Sequence, residues 1–334
     1  MLSAIPDPRP PLACLDSMKL KKHWLQRARM ILMPVLSLLV IGLVVTRVDT
    51  IKWHEVAQAL TSFDALTMAE ALALAALSLL ICSAYDLFGR HYIGHKLPQP
   101  LVMRIAFVGY VFTLNLGSLI GGMGFRFRLY TRFGLSAGDT GKVIGTSVFT
   151  NWAGYVLLAG LVFTIAPPHI TLIPLPLLRV LGPALLLVAA GYLTLCFIGH
   201  GREWEFKRWK LYAPPPLFAL LQLAASSASW LLIVAVIHRF MPEEVSYAAA
   251  LVALLASAIA GVVSFVPGGL GVLESVFIAL LGSEVPANRL LGALIAYRMA
   301  YYFIPFALAI LAYLSLEWRA RRGGEGLAEA GETS

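Results

Sequence analysis

Apolar runs of membrane-spanning length recur along almost the whole of this chain, and no other feature constrains its fold as tightly. They lie at about 30–46, 65–88, 101–120, 143–166, 177–199, 214–238, 246–265 and 289–316, in 334 residues that are 59% apolar and 13% charged. Continuous runs of this kind form helices in a bilayer, because a helix satisfies its own backbone hydrogen bonds where water is absent. A transmembrane β-barrel is excluded, since its strands alternate apolar and polar residues. The fold class is an all-α polytopic membrane protein. The net charge of +8 sits in loops and an N-terminal arm rather than on a soluble basic domain. That distribution suits anionic lipid and gives no reason to expect nucleic acid as a partner.

Charge between the runs sets the expected topology. Residues 1–29 form a basic arm carrying Lys19, Lys21, Lys22, Arg27 and Arg29, which places the N-terminus in the cytoplasm. Residues 51–63 read as an interfacial helix on the outer face. If 101–120 crossed fully, two arginine-rich loops would face outward, one carrying Arg126, Arg128 and Arg132 and the other Arg202, Lys207, Arg208 and Lys210. A re-entrant 101–120 turns both inward and leaves the uncharged Pro167-Pro168-His169-Ile170 loop outside. The expectation is about eight transmembrane helices plus this re-entrant element, with a short arm at 268–283 and both termini cytoplasmic. The transmembrane domain then covers 30–318, followed by a disordered tail at 319–334.

Two glycine-rich breaks interrupt apolar sequence. GGMGFRFR at 121–128 contains Gly121, Gly122 and Gly124; PGGLGVLE at 267–274 contains Pro267, Gly268, Gly269 and Gly271. Proline removes a backbone donor and glycine weakens a helix. Broken backbone at membrane depth is tolerated only where protein or a watery cavity satisfies it. Paired interruptions in two halves of a transporter point to an inverted repeat with a binding site between two broken helices.

Charged and polar residues beside these breaks are the candidate substrate-binding residues: Arg126, Arg128, Asn151, Glu274, Arg298, Tyr301 and Tyr302. Arg298 stands about 13 Å into the last helix, at a cost of roughly 2.5–3.5 kcal/mol on insertion scales. It serves either a phosphate, which its planar fork suits, or a structural ion pair with Glu274. Arg126 and Arg128 alternate with Phe125 and Phe127, as interfacial anchors or as a head-group receptor. Asn151 reads as a ligand contact or as helix packing, and Asp86 as an interfacial charge. No P-loop, His-Glu-x-x-His, nucleophile elbow or paired-cysteine site is present, so neither catalytic residues nor a metal or cofactor is expected.

PGGLGVLE, GGMGFRFRLYTRFGLS, TNWAGY at 150–155 and YRMAYYFIP at 297–305 together resemble the lysylphosphatidylglycerol synthase transmembrane family, in its YbhN-like inner-membrane branch, over about residues 25–318. The resemblance implies a flippase-type domain in a bacterial inner membrane that moves phospholipid between leaflets, and carries its polar positions onto Arg126, Arg128, Asn151, Glu274 and Arg298. Lipid-synthesising members add a cytoplasmic acetyltransferase-like domain. The sequence here stops at Ser334 without one, so aminoacylation is not expected of it. The expected function is phospholipid translocation, with a lipid-synthesis enzyme or a second copy of the chain as partners. A solute or proton-coupled transporter and a non-transporting accessory subunit are the alternatives.

Overall fold

The computed structural model describes residues 63–165, 175–199, 203–206, 209–212, 214–264 and 266–332, all within one compact unit. The basic arm, the first expected span, all but Phe63 of the expected interfacial helix and the Pro167–Ile170 loop lie outside the described residues.

Capping and punctuation residues set the helix limits. Helix α1 (Ala65–Ile93) starts where the Asp64 carboxylate accepts the Thr67 N–H and stops at left-handed Gly94. Helix α2 (Gln99–Leu116) begins after Pro98 and ends at Gly117, whose φ of 84° leaves the helical region. A π-helical turn (Ser118–Gly124) leads into α3 (Phe125–Arg132). Ser136 accepts the Asp139 N–H at the start of α4 (Ala137–Ile165). Helix α5 is Leu175–Gly199.

Strands β1 (Glu203–Phe206) and β2 (Trp209–Tyr212) follow, with Glu203 opposite Tyr212. This antiparallel pair departs from a purely helical chain: the expected basic loop alternates polar and apolar residues with the period of a strand.

Helix α6 (Pro216–Phe240) and α7 (Tyr247–Ser264) precede a 3-10 turn (Pro267–Gly269) and the short α8 (Val272–Leu281). Helix α9 (Ala287–Arg298), a second π-helical turn (Met299–Phe303) and α10 (Ile304–Glu332) form one continuous rod. The backbone of α10 runs on as helix as far as Glu332, into the stretch expected as a tail. Seven of the described helices are long and apolar enough to cross a membrane. This is a multi-pass membrane protein.

Contacts between helix ends identify the two ends of the bundle. At the first, Arg239 pairs with Glu70, the Phe63 and Phe240 rings meet at 4.9 Å, and Arg289 bridges to Glu244. At the second, Phe88 meets Phe218 at 4.9 Å, the His95 and Tyr130 rings lie 6.5 Å apart, and Arg128 and Arg132 reach Glu317.

These contacts show that α2 and α3 form a hairpin. Helix α2 leaves the second end, the π turn reverses the chain, and α3 returns with Phe125 on Phe112 and Tyr130 back at His95. The re-entrant reading of 101–120 describes this geometry. Helices α7 and α8 repeat it from the first end. Glu244 precedes α7 and Arg289 follows α8, yet the two side chains are paired. The stretches read as a crossing at 246–265 and a separate arm at 268–283 thus form one hairpin. An 18-residue helix, a glycine break, a short returning helix and a long helix occur twice, entering from opposite ends. That is the arrangement of an inverted repeat.

Candidate functional site

The two hairpin tips meet. Gly268, in the second break, adopts φ 65°, a conformation that L side chains rarely take, and a Cβ there would lie 3.1 Å from the Leu114 carbonyl oxygen. From the first tip, Asn115 Nδ2 donates to the Val111 carbonyl at 2.9 Å and to the Tyr302 carbonyl at 3.4 Å. Tyr302 belongs to the π turn in the α9–α10 rod. Pro305 follows it and cannot supply an N–H to the Tyr301 carbonyl, which accounts for a widened turn at this point.

Arg298 lies just before that turn and ties the junction together. Its Nε and Nη2 donate to the two oxygens of Glu274, the latter at 3.1 Å. Nη1 donates to the Gly268 carbonyl at 3.2 Å and Nη2 to that of Gly269 at 3.0 Å. The guanidinium carbon stands 5.1 Å from the centre of the Tyr302 ring. Glu274 occupies the first turn of α8, where the free N–H groups of the helix favour negative charge. Arg298 is nearly enclosed, whereas the Glu274 side chain is 15% exposed beside open Gly271 and Ser275. The guanidinium fork is thus filled by the protein's own carboxylate, and the pair is reached by solvent from the carboxylate side.

Other predicted residues fall elsewhere. Arg126 and Arg128 are two apart on α3 and point in different directions. Arg126 is buried, with Nη1 3.4 Å from Asp86 and hydrogen bonds to the Ser147 hydroxyl at 3.3 Å and the Ala106 carbonyl at 3.5 Å. It lies flat over Gly109, where any Cβ would overlap its side chain. Asp86 also accepts from the Tyr130 hydroxyl at 2.8 Å. The interfacial reading of Asp86 is corrected: it is fully buried, as the counter-ion that pins the first hairpin to α1.

Arg128 faces outward and pairs with Glu317, far from the junction. The Asn151 carbonyl accepts from Ser226 and from Trp230, and Gly154 one turn on lies against Ser226, so this segment packs α4 on α6. The Tyr301 hydroxyl turns from the junction to Ser78 at 2.9 Å. The structure thus brings together Glu274, Arg298, Tyr302, Gly268 and Gly269. It keeps Arg126, Arg128 and Asn151 apart from them, and leaves the Tyr301 ring 6.1 Å from that of Tyr302 with its hydroxyl directed away. Gly121 and Gly122 are buried against Phe112 and Thr113 inside the first hairpin, and Gly124 is exposed. Sequence reasoning missed Asn115 and Glu317, and misread Asp86. Among the described residues, no three His, Cys, Asp or Glu side chains are grouped to hold a metal ion.

With this geometry in hand, comparison with known proteins is decisive. Residues 30–309 match the family described as the lysylphosphatidylglycerol synthase TM region. The chain belongs to that family. It is 40% identical to the inner membrane protein YbhN of Escherichia coli K12, over 88% of this chain and 94% of that one. It is 28% identical to the uncharacterized protein slr0712 of Synechocystis, over 84% and 89% respectively. A phosphatidylglycerol lysyltransferase of Staphylococcus aureus MRSA252 is 30% identical over 31% of this chain and 15% of its own length.

Proposed function

We propose that this protein is a phospholipid translocase of a bacterial inner membrane, carrying an anionic or zwitterionic head group past the Arg298–Glu274 junction while the acyl chains stay in lipid. The observation that carries the reading is that two oppositely entering hairpins meet beside one largely buried ion pair. A lipid phosphate matches the fork that Glu274 now fills, and an ammonium group on the same lipid matches the carboxylate it releases. Exchange of one anion for another frees α8 from Arg298 without leaving the guanidinium unpaired, which avoids the cost of an isolated buried charge. The Gly268 and Gly269 carbonyls still hold the hairpin tip. The relatives named for phosphatidylglycerol chemistry support a phospholipid as substrate. The reading is transport rather than transformation, supported by a junction built for ion pairing.

The second end of the bundle carries Arg90, Lys96, Arg128, Arg132, Lys142 and Arg319, and on the positive-inside rule it faces the cytoplasm, as do both termini. A lipid-synthesising enzyme that supplies the substrate is the fitting partner.

The test is lipid translocation in proteoliposomes, using head-group-labelled phosphatidylglycerol, cardiolipin and phosphatidylethanolamine. Acceleration that Arg298→Ala abolishes supports the reading. Folded protein that moves none of these lipids overturns it in favour of a solute carrier or an accessory subunit.

A further inference from the structure

We infer that Arg128 and Arg132, held by Glu317, form a second lipid site: a phosphate clamp on the outer face of the first hairpin at the cytoplasmic end. The two arginines stand one turn apart on α3 and both point at one carboxylate of α10. Arg128 Nε donates to Glu317 Oε1 at 2.7 Å; Arg132 Nη1 lies 3.0 Å from Oε2, off the line of a good hydrogen bond. The Tyr313 hydroxyl donates to Oε1 at 3.0 Å. Glu317 is buried at 9% side-chain exposure, while Arg128 and Arg132 are 52% and 37% exposed.

One carboxylate cannot neutralise two guanidiniums, so the cluster keeps a positive charge. Among the described residues, Nη1 and Nη2 of Arg128 and Nε and Nη2 of Arg132 bond to no protein group. Two guanidinium edges fixed from behind and open in front are suited to bidentate phosphate recognition.

The surroundings select a lipid as the source of that phosphate. Phe127, next to Arg128 in the chain, and Trp318, next to Glu317, are exposed, as aromatic side chains are at a membrane–water boundary. Leu308, Leu311 and Leu314 are exposed on α10, leading from Trp318 toward the membrane interior and giving acyl chains an apolar track. A phosphodiester at the clamp with its chains along this track is the arrangement of a bound anionic phospholipid. Because Glu317 belongs to the rod that carries Arg298, a lipid held here joins the first hairpin to the rod. This site is separate from the junction and does not depend on translocation.

The test is lipid binding to purified protein by native mass spectrometry and by thermal stabilisation, with cardiolipin, phosphatidylglycerol, phosphatidylcholine and inorganic phosphate as probes. Cardiolipin and phosphatidylglycerol are expected to bind. The Arg128→Gln, Arg132→Gln double variant is expected to weaken them by roughly tenfold or more. Arg128→Lys, which keeps the charge and loses the fork, is expected to fall between and serves if the double variant does not fold. Arg298→Ala is expected to retain this binding even where it stops translocation. Equal weakening by Arg319→Gln would reveal only a diffuse basic surface and overturn the clamp. Stabilisation by inorganic phosphate matching that by phosphatidylglycerol would overturn the lipid as its occupant.

Discussion

Glu274 and Arg298 face each other through two parallel hydrogen bonds across 24 residues of chain, and the Gly268 and Gly269 carbonyls fill most of what remains of the guanidinium. Removing either member leaves a largely buried charge without its partner, at about 3 kcal/mol or more. Arg298→Ala and Glu274→Gln are expected to be destabilised by this order in thermal or denaturant unfolding. The double Glu274→Gln, Arg298→Gln variant is expected to lose less than the sum of the two. Additive losses would show that the pair does not act as a unit.

Gly109 is where the first hairpin closes on Arg126. A methyl group at this position overlaps the middle of the arginine side chain, which is enclosed and has nowhere to move. Gly109→Ala is expected to push Arg126 off Asp86 and Ser147, costing about 1–3 kcal/mol as an overpacked core does. The measurement is hydrogen exchange over α2 and α3. Faster exchange confined to the hairpin is expected, and unchanged protection would show that the helices separate without disturbing the ion pair.

Much of this junction was legible in the sequence, and the reason is energetic. Arginine and glutamate within apolar runs are rare enough to announce themselves, and so are proline and three glycines beside them. Asp86 was not legible. It sits near the end of its run, where a carboxylate usually meets water, and its counter-ion comes 40 residues later on an element whose direction only the fold reveals. Glu317 was hidden in the same way at the end of the last run. The second hairpin escaped because an 18-residue apolar helix has the length of a crossing. Only the Glu244–Arg289 contact, between residues 45 apart, shows that the chain has returned to its starting end.

His95 gives the second end a dependence on pH. Burial, reinforced by the nearby Arg90 charge, holds the ring below its ordinary value of 6.5, and its Nδ1 accepts the Leu97 N–H at 3.4 Å. A base with a lowered pKa binds fewer protons folded than unfolded. Its contribution is therefore complete above pH 6.5 and is lost as the pH falls through the folded value. Melting at pH 5 rather than 7.5 is expected to show a fall in Tm to which this ring contributes. His95→Gln should remove that part of the fall; an unchanged pH profile in the variant would assign the loss to other groups.

Asn115 is the side chain through which the first hairpin tip reaches the π turn of the rod, by its bond to the Tyr302 carbonyl. Helix widening before Pro305 leaves carbonyls at this turn in need of donors, and a buried acceptor without one costs about 1–3 kcal/mol. Asn115→Leu keeps the volume and removes the donor, so a loss in the lower part of that range is expected. If the two tips work as one junction, the effect depends on the ion pair beside them. A cycle of Asn115→Leu with Arg298→Lys should then give a coupling of about 0.5 kcal/mol or more in unfolding. Independent effects would mean that the hairpins touch at the junction without acting on each other, and the two halves of the repeat would then move separately.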